Sequence, residues 1–215
     1  LWLVVISALL IQCISGRISF AMSSGNLLEN STFDKGVDRS GVPVGWTLYQ
    51  GKEKGQTLRL VRNGSDGQTA VMLKDGSATE GIGLVQSQEA KAGLVYEVSG
   101  ESLGLEGATS HGSYLQLRFL PSNKIYQVGF AAASEKEFER VSVKGVAPLG
   151  TEKAMVYVYT HRAATPMFLF RNVQLVCCGE TGPLSITDWA TPVFGEIKNL
   201  HIETELVSQG KARAW

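Results

Sequence analysis

From Thr57 to Val176 the chain is divided into short runs in which apolar and polar residues alternate, each bounded by Gly, Pro, Asn, Asp or Ser. TLRLVRNG starts at Thr57, TAVMLKDG at Thr69, GLVYEVSGESLG at Gly93, SYLQLRFLPSN at Ser113, FERVSVKGVAP at Phe138, KAMVYVYTH at Lys153 and MFLFRNVQLV at Met167. A period of two puts one set of side chains on a buried face and the other toward solvent, as a strand does. A helix needs apolar residues recurring every 3.6 positions, and no long stretch of that kind is present. Many short strands with regular turn signals predict an antiparallel two-sheet sandwich or a barrel. The polar segment Ala133–Phe138, the one candidate for a short helix, reads better as a loop before the next strand.

The rest of the sequence bounds the setting. Lys plus Arg number 20 and Asp plus Glu number 20 among 215 residues, so nucleic acid has no electrostatic claim on the chain. The first residues, LWLVVISALLIQCISGRISFA, combine an apolar run too short to span a bilayer comfortably with small residues at Ser19 and Ala21. That shape predicts a secretory signal peptide over residues 1–21, a sequence beginning slightly inside its reading frame, and a secreted or periplasmic, extracellular product with no membrane partner after cleavage. Beyond the leader only Cys177 and Cys178 remain. Adjacent cysteines cannot form an ordinary stapling bridge, so the fold has to rest on its core, and the pair reads as small apolar filler at a strand end. After Cys178 the alternation stops. Residues 179–192 are rich in Gly, Pro, Ser and Thr and read as a linker, and residues 193–215 read as strand, turn and strand, the expected start of a further, truncated domain.

Three segments carry a resemblance. NLLENSTFDKG from Asn26, VPVGWTLYQG from Val42 and FLFRNVQLV from Phe168, taken in their order and spacing, resemble the framework of jelly-roll carbohydrate-binding modules of families four, sixteen and twenty-two. The resemblance implies a galactose-binding-like sandwich within residues 22–178. Leu27, Leu28 and Phe33 would anchor an opening strand, Asn26 and Asn30 would bond local backbone where it bends, and Pro43 and Gly45 would turn the chain to place Trp46 mainly in the core. Relatives of this type carry a structural calcium near the first and last strands, ligated in part by an Asp before the Asn of the last strand. Arg171 stands there in this chain, which removes an oxygen ligand and leaves Glu29 and Asp34 as the candidate calcium ligands.

Alternation also selects a candidate ligand face. Leu115, Leu117 and Phe119 belong to the core, so Tyr114, Gln116 and Arg118 point the other way. Val156 and Val158 point inward, so Tyr157, Tyr159 and His161 point out, as solvent-facing side chains that contribute little to stability. Aromatic faces cover the C–H faces of sugar rings, while amides and guanidinium groups bond their hydroxyls or a uronate carboxylate. The same residues also suit an ordinary solvent-facing sheet surface. No G-x-S-x-G, H-E-x-x-H or Gly-rich phosphate loop is present, and His111, His161 and His201 do not make a metal spacing. Glu97 and Glu101 are spaced as a carboxylate pair, yet a solvated strand explains them more simply. The expected function is non-catalytic binding of a polysaccharide or oligosaccharide on behalf of an appended glycoside hydrolase. The alternatives are an extracellular interaction or structural module without a sugar site, and a complete enzyme.

Overall fold

The computed structural model describes residues 25–51, 53–62, 67–105, 108, 112–130, 137–160 and 167–180. The predicted leader, residues 181–192 of the predicted linker, the segment 193–215 and His161 lie outside the described residues. The described residues form ten strands: β1 (Thr47–Gln50), β2 (Thr57–Arg62), β3 (Thr69–Lys74), β4 (Ile82–Glu89), β5 (Leu94–Gly104), β6 (Ser113–Leu120), β7 (Lys124–Phe130), β8 (Glu139–Val146), β9 (Lys153–Thr160) and β10 (Met167–Glu180). They form two five-stranded antiparallel sheets, the first in the order β1-β4-β9-β6-β7 and the second in the order β2-β3-β10-β5-β8. The all-β sandwich is the fold that the alternation predicts.

The core lies between the sheets. Leu115, Leu117, Phe119, Val156 and Val158 from the first sheet meet Val71, Leu73, Phe168, Phe170 and Leu175 from the second, all fully buried. Three strands were not among the alternating runs. β4 carries a continuous buried stretch, Ile82–Gln86: Ile82 and Leu84 face the core, while on the outer face Gly83 lies tight against Tyr159 and Val85 sits between Thr47 and Tyr157, so the alternation is lost. β1 is only four residues long, and β7 is an edge strand of mixed character.

The opening segment differs from the expected strand. Residues 26–46 run as turns and bends with a single bridge, Val37 to Pro43. They are tied to β10 by Leu27 N–H donating to the Leu175 carbonyl at 2.8 Å and Val173 N–H donating to the Ser31 carbonyl at 3.0 Å. Asn30 explains the departure. It adopts a φ of 48°, which Asn tolerates better than most residues, and its amide bonds the Val44 carbonyl and the Lys35 N–H. The predicted anchors hold: Leu28 and Phe33 are buried and Leu27 packs beside them. Trp46 is core, 5.4 Å from the Phe33 ring, with its indole N–H donating to the Asn30 carbonyl at 3.2 Å.

β10 changes parity midway. Phe168 and Phe170 point inward, as do Val173 and Leu175, so Arg171 and Asn172 form an extra step where the pairing with β5 shifts register. Asn172 has a φ of 51°, in the left-handed region. The strand runs to Glu180, past the predicted boundary at Cys178, because a second register shift near Gly179 (φ 105°) keeps the pairing with β5 intact. Cys177 packs against the core and Cys178 is exposed; both are free thiols.

Candidate functional site

Register assembles the outer face of the first sheet. One row across the strands reads Tyr49, Gly83, Tyr159, Tyr114. The next reads Thr47, Val85, Tyr157, Gln116, Gln127, and a third reads Ser87, Met155, Arg118, Ile125. The four tyrosines therefore come from three strands, two of which flank β4. Tyr114 and Tyr159 stack with ring centroids 5.5 Å apart and planes 22° apart. Tyr49 sets its ring edge-on to Tyr157 at 4.9 Å and to Tyr159 at 6.1 Å. Gly83 makes this arrangement accessible, since a Cβ there would collide with the Tyr159 Cβ and the Val158 carbonyl oxygen.

The polar groups of the face are tied to one another. The Gln116 amide is assigned with its oxygen toward Arg118, where it accepts from Nε and Nη2 at 3.3 Å, while its nitrogen donates to Gln127 Oε1 at 3.3 Å. The opposite assignment would set amide hydrogens against guanidinium hydrogens. The Tyr159 hydroxyl donates to Gln127 Oε1 at 3.4 Å. Arg118 lies over the Tyr157 ring, its Cζ 4.9 Å from the centroid, a cation–π contact. Burial pushes the Tyr159 phenol up to about 12, helped by the neighbouring Tyr49 and Tyr114 phenols, so it remains a neutral donor. Burial likewise raises Tyr157, against the opposing pull of Arg118.

Of the predicted ligand residues, Tyr114, Gln116, Arg118, Tyr157 and Tyr159 come together on this face. Two of them are not the solvent-facing groups that alternation suggests. Tyr157 and Gln116 are each only 4% exposed, because Tyr49, Arg118 and their strand neighbours close over them. They form the floor, and the half-buried Tyr114, Tyr159 and Arg118 form the accessible layer. Tyr49 and Gln127 join the face without having been predicted. Neither TLYQ nor KIYQVGF alternates cleanly, so the sequence pattern did not mark their faces. At the Tyr49 end, a cavity of about 390 Å³ is lined by Tyr49, Gln50, Thr79, Glu80, Gly81 and Tyr159, with Thr160 at its base.

The outer face of the second sheet is chemically different. Arg171 donates from Nε to Glu101 Oε2 at 2.8 Å, Asn172 donates to the same oxygen at 3.1 Å, and Arg140 lies 3.8 Å from Oε1. Arg171 also covers the Phe138 ring at 3.7 Å. Lys144 pairs with Glu97 at 3.2 Å; burial raises the Glu97 carboxyl, but bonds from Ser142 and Lys144 bring it below the ordinary range. Glu97 and Glu101 are thus held by cations and do not form a free carboxylate pair. Beside them Ala70, Met72, Leu103 and Leu169 make a small second apolar cluster under Val61, Phe138 and Met167.

The candidate calcium ligands Glu29 and Asp34 lie in different surroundings. Glu29 pairs with Lys35 at 3.4 Å, and Asp34 lines an open cavity of about 500 Å³ together with Arg62, Gln68 and Asn172. Among the described residues no three His, Cys, Asp or Glu side chains gather. Arg171, read from the sequence as removing an oxygen ligand, pairs its guanidinium with Glu101.

No protein-family profile matches the sequence, and neither does any curated protein. Solved structures do share the fold. The xylan-binding domain CBM22-1 of Paenibacillus barcinonensis Xyn10C superposes with a TM-score of 0.52 at 14% identity, over 75% of this chain and all (100%) of that one. The carbohydrate-binding module TmCBM61, solved with β-1,4-galactotriose, gives 0.50 at 19% identity, over 72% and 99% of the two chains. The Stig cyclase Fisc from Fischerella sp. TAU gives 0.57 at 13% identity, over 73% and 98%. The chain therefore has the two-sheet jelly roll found in carbohydrate-binding modules, a fold that also serves an enzyme.

Proposed function

We propose that the chain is a non-catalytic carbohydrate-binding module whose ligand lies across the tyrosine face of the first sheet. The observation that carries the reading is the row formed by Tyr49, Tyr159 and Tyr114 directly beside the linked amides of Gln116 and Gln127. Aromatic rings can cover the C–H faces of a pyranose while fixed amides meet its hydroxyls, and rings braced against each other lose little freedom on binding. The fold shared with xylan- and galactotriose-binding modules supports the reading. With the signal-like leader, the protein is exported, and the sequence after residue 192 begins a domain that the module tethers to its glycan, raising local concentration.

Affinity electrophoresis through gels containing xylan, galactan, polygalacturonate or alginate tests this. Retardation of the parent by at least one polysaccharide, lost in Tyr159→Ala, is the expected result. A parent that migrates freely through all of them would replace the glycan reading with that of an interaction or structural module.

A further inference from the structure

We propose that the glycan bound by this face is anionic, and that Arg118 holds its carboxylate or sulfate group; this rests on the carbohydrate reading above. Arg118 differs from the other cations that pair on this molecule. Lys35, Lys144, Arg140 and Arg171 each have a carboxylate within 4 Å. In its own row and the row on the Gln116 side the neighbouring side chains are Ser87, Met155, Ile125, Gln116, Gln127 and Tyr157, none of them acidic; the row on the other side holds Leu120, Lys153 and Glu89. Its contacts are the Tyr157 ring beneath and the Gln116 amide beside it.

Those two contacts fix the plane of the guanidinium without neutralising it. A guanidinium has five N–H groups, and two of them point at Gln116, which leaves three for another acceptor. Neutral hydroxyls are already served by the amides of Gln116 and Gln127. A cation fixed in this way gains most from a charged, two-oxygen acceptor, because charge-assisted forked hydrogen bonds are about twice as strong as neutral ones. Lys153 shares the face, two residues along β9 from Met155, with Glu89 opposite it across the strand pair, whereas Met155 and Ile125 stand opposite Arg118. Glu80 borders the cavity at the other end and would repel an anion there, which places the charged substituent at the Arg118 end.

The test is calorimetry on the full chain at low salt with two matched pairs of polymers: polygalacturonate against its fully methyl-esterified form, and a carrageenan against its desulfated backbone. The expected result is that one charged polymer binds at least about tenfold tighter than its neutral counterpart, that Arg118→Gln brings the two within about twofold of each other, and that Arg118→Lys falls between. The pair that shows the difference identifies carboxylate or sulfate. Equal binding of charged and neutral partners by the parent, or a charge preference that survives in Arg118→Gln or is fully retained by Arg118→Lys, overturns the anion assignment and leaves the carbohydrate reading standing. Failure of the parent to bind any of the four, neutral polymers included, overturns both.

Discussion

The two outer faces of this sandwich use polar residues in opposite ways. On the second sheet the charges are consumed within the molecule: Glu101 is held by Arg171, Asn172 and Arg140, and Glu97 by Lys144. On the first sheet the tyrosines and glutamines brace one another, while Arg118 keeps its charge unpaired above Tyr157. One face is stabilised by closing its interactions. The other is organised and left open, which is the state of a preformed binding surface. The same backbone thus carries a structural face and a candidate functional face, and composition alone does not separate them.

Substitutions that separate the two faces sharpen this contrast. The largest effect is expected at Tyr157, whose ring is the buried floor of the open face. Tyr157→Ala should cost about 3 kcal/mol, the usual scale for deleting a buried aromatic ring, and should abolish binding as well. Denaturant unfolding beside a binding titration measures both. Arg171→Ala should come next, at about 2 kcal/mol, below the range for fully buried pairs because Arg140 and Asn172 still face Glu101 and the pair retains some exposure. It should leave glycan binding unchanged. A loss of binding in this variant would break the division between the faces.

A third difference appears in alkali. The Tyr159 phenol is raised in the folded state, to about 12 against 10.0 for the free group. A group raised on folding contributes stability that is fully present below its unfolded pKa and lost as pH rises through its folded value. Stability from this residue should therefore be flat below pH 9 or so and decline between about 10 and 12. Tyr159→Phe should flatten that decline, which thermal melts across the pH series would show. The smallest effect concerns metal. Because Arg171 already neutralises Glu101, and among the described residues Glu29 and Asp34 gather no third acidic ligand, a chelator should shift the melting temperature by less than a degree or so. A clear drop in melting temperature with chelator, restored by calcium, would contradict the reading of Arg171.

The legible parts of the sequence were those governed by local rules. Alternation in SYLQLRFL and AMVYVYT fixed which residues share a face, because a pleated strand has no other way to place them. Alternation could not say how deeply each residue sinks. Tyr157 and Tyr159 are identical by pattern, and register alone decides that Tyr49 and Arg118 close over the first while the second remains half-buried. The strand β4 was illegible for the opposite reason, since burial on both faces erased its period. The opening segment was expected to be a strand from its resemblance to carbohydrate-binding modules, yet Asn30 in the left-handed region and its bonds to Val44 and Lys35 wind it into turns. Arg171 was visible as a departure from the expected calcium ligand. Its partner Glu101 was not, because the antiparallel pairing of β10 with β5 brings them together across a long stretch of sequence.

The contrast between faces is tested most directly by titrating three forms of the chain in parallel, with galactotriose and with trigalacturonate as probes. The forms are the parent, Tyr159→Ala on the open face, and Arg140→Ala on the closed face. The account predicts that the parent binds at least one probe, that Tyr159→Ala weakens this about tenfold or more while the chain still unfolds in a cooperative transition, and that Arg140→Ala binds within about twofold of the parent. If Arg140→Ala loses binding while Tyr159→Ala keeps it, the functional face has been assigned to the wrong sheet.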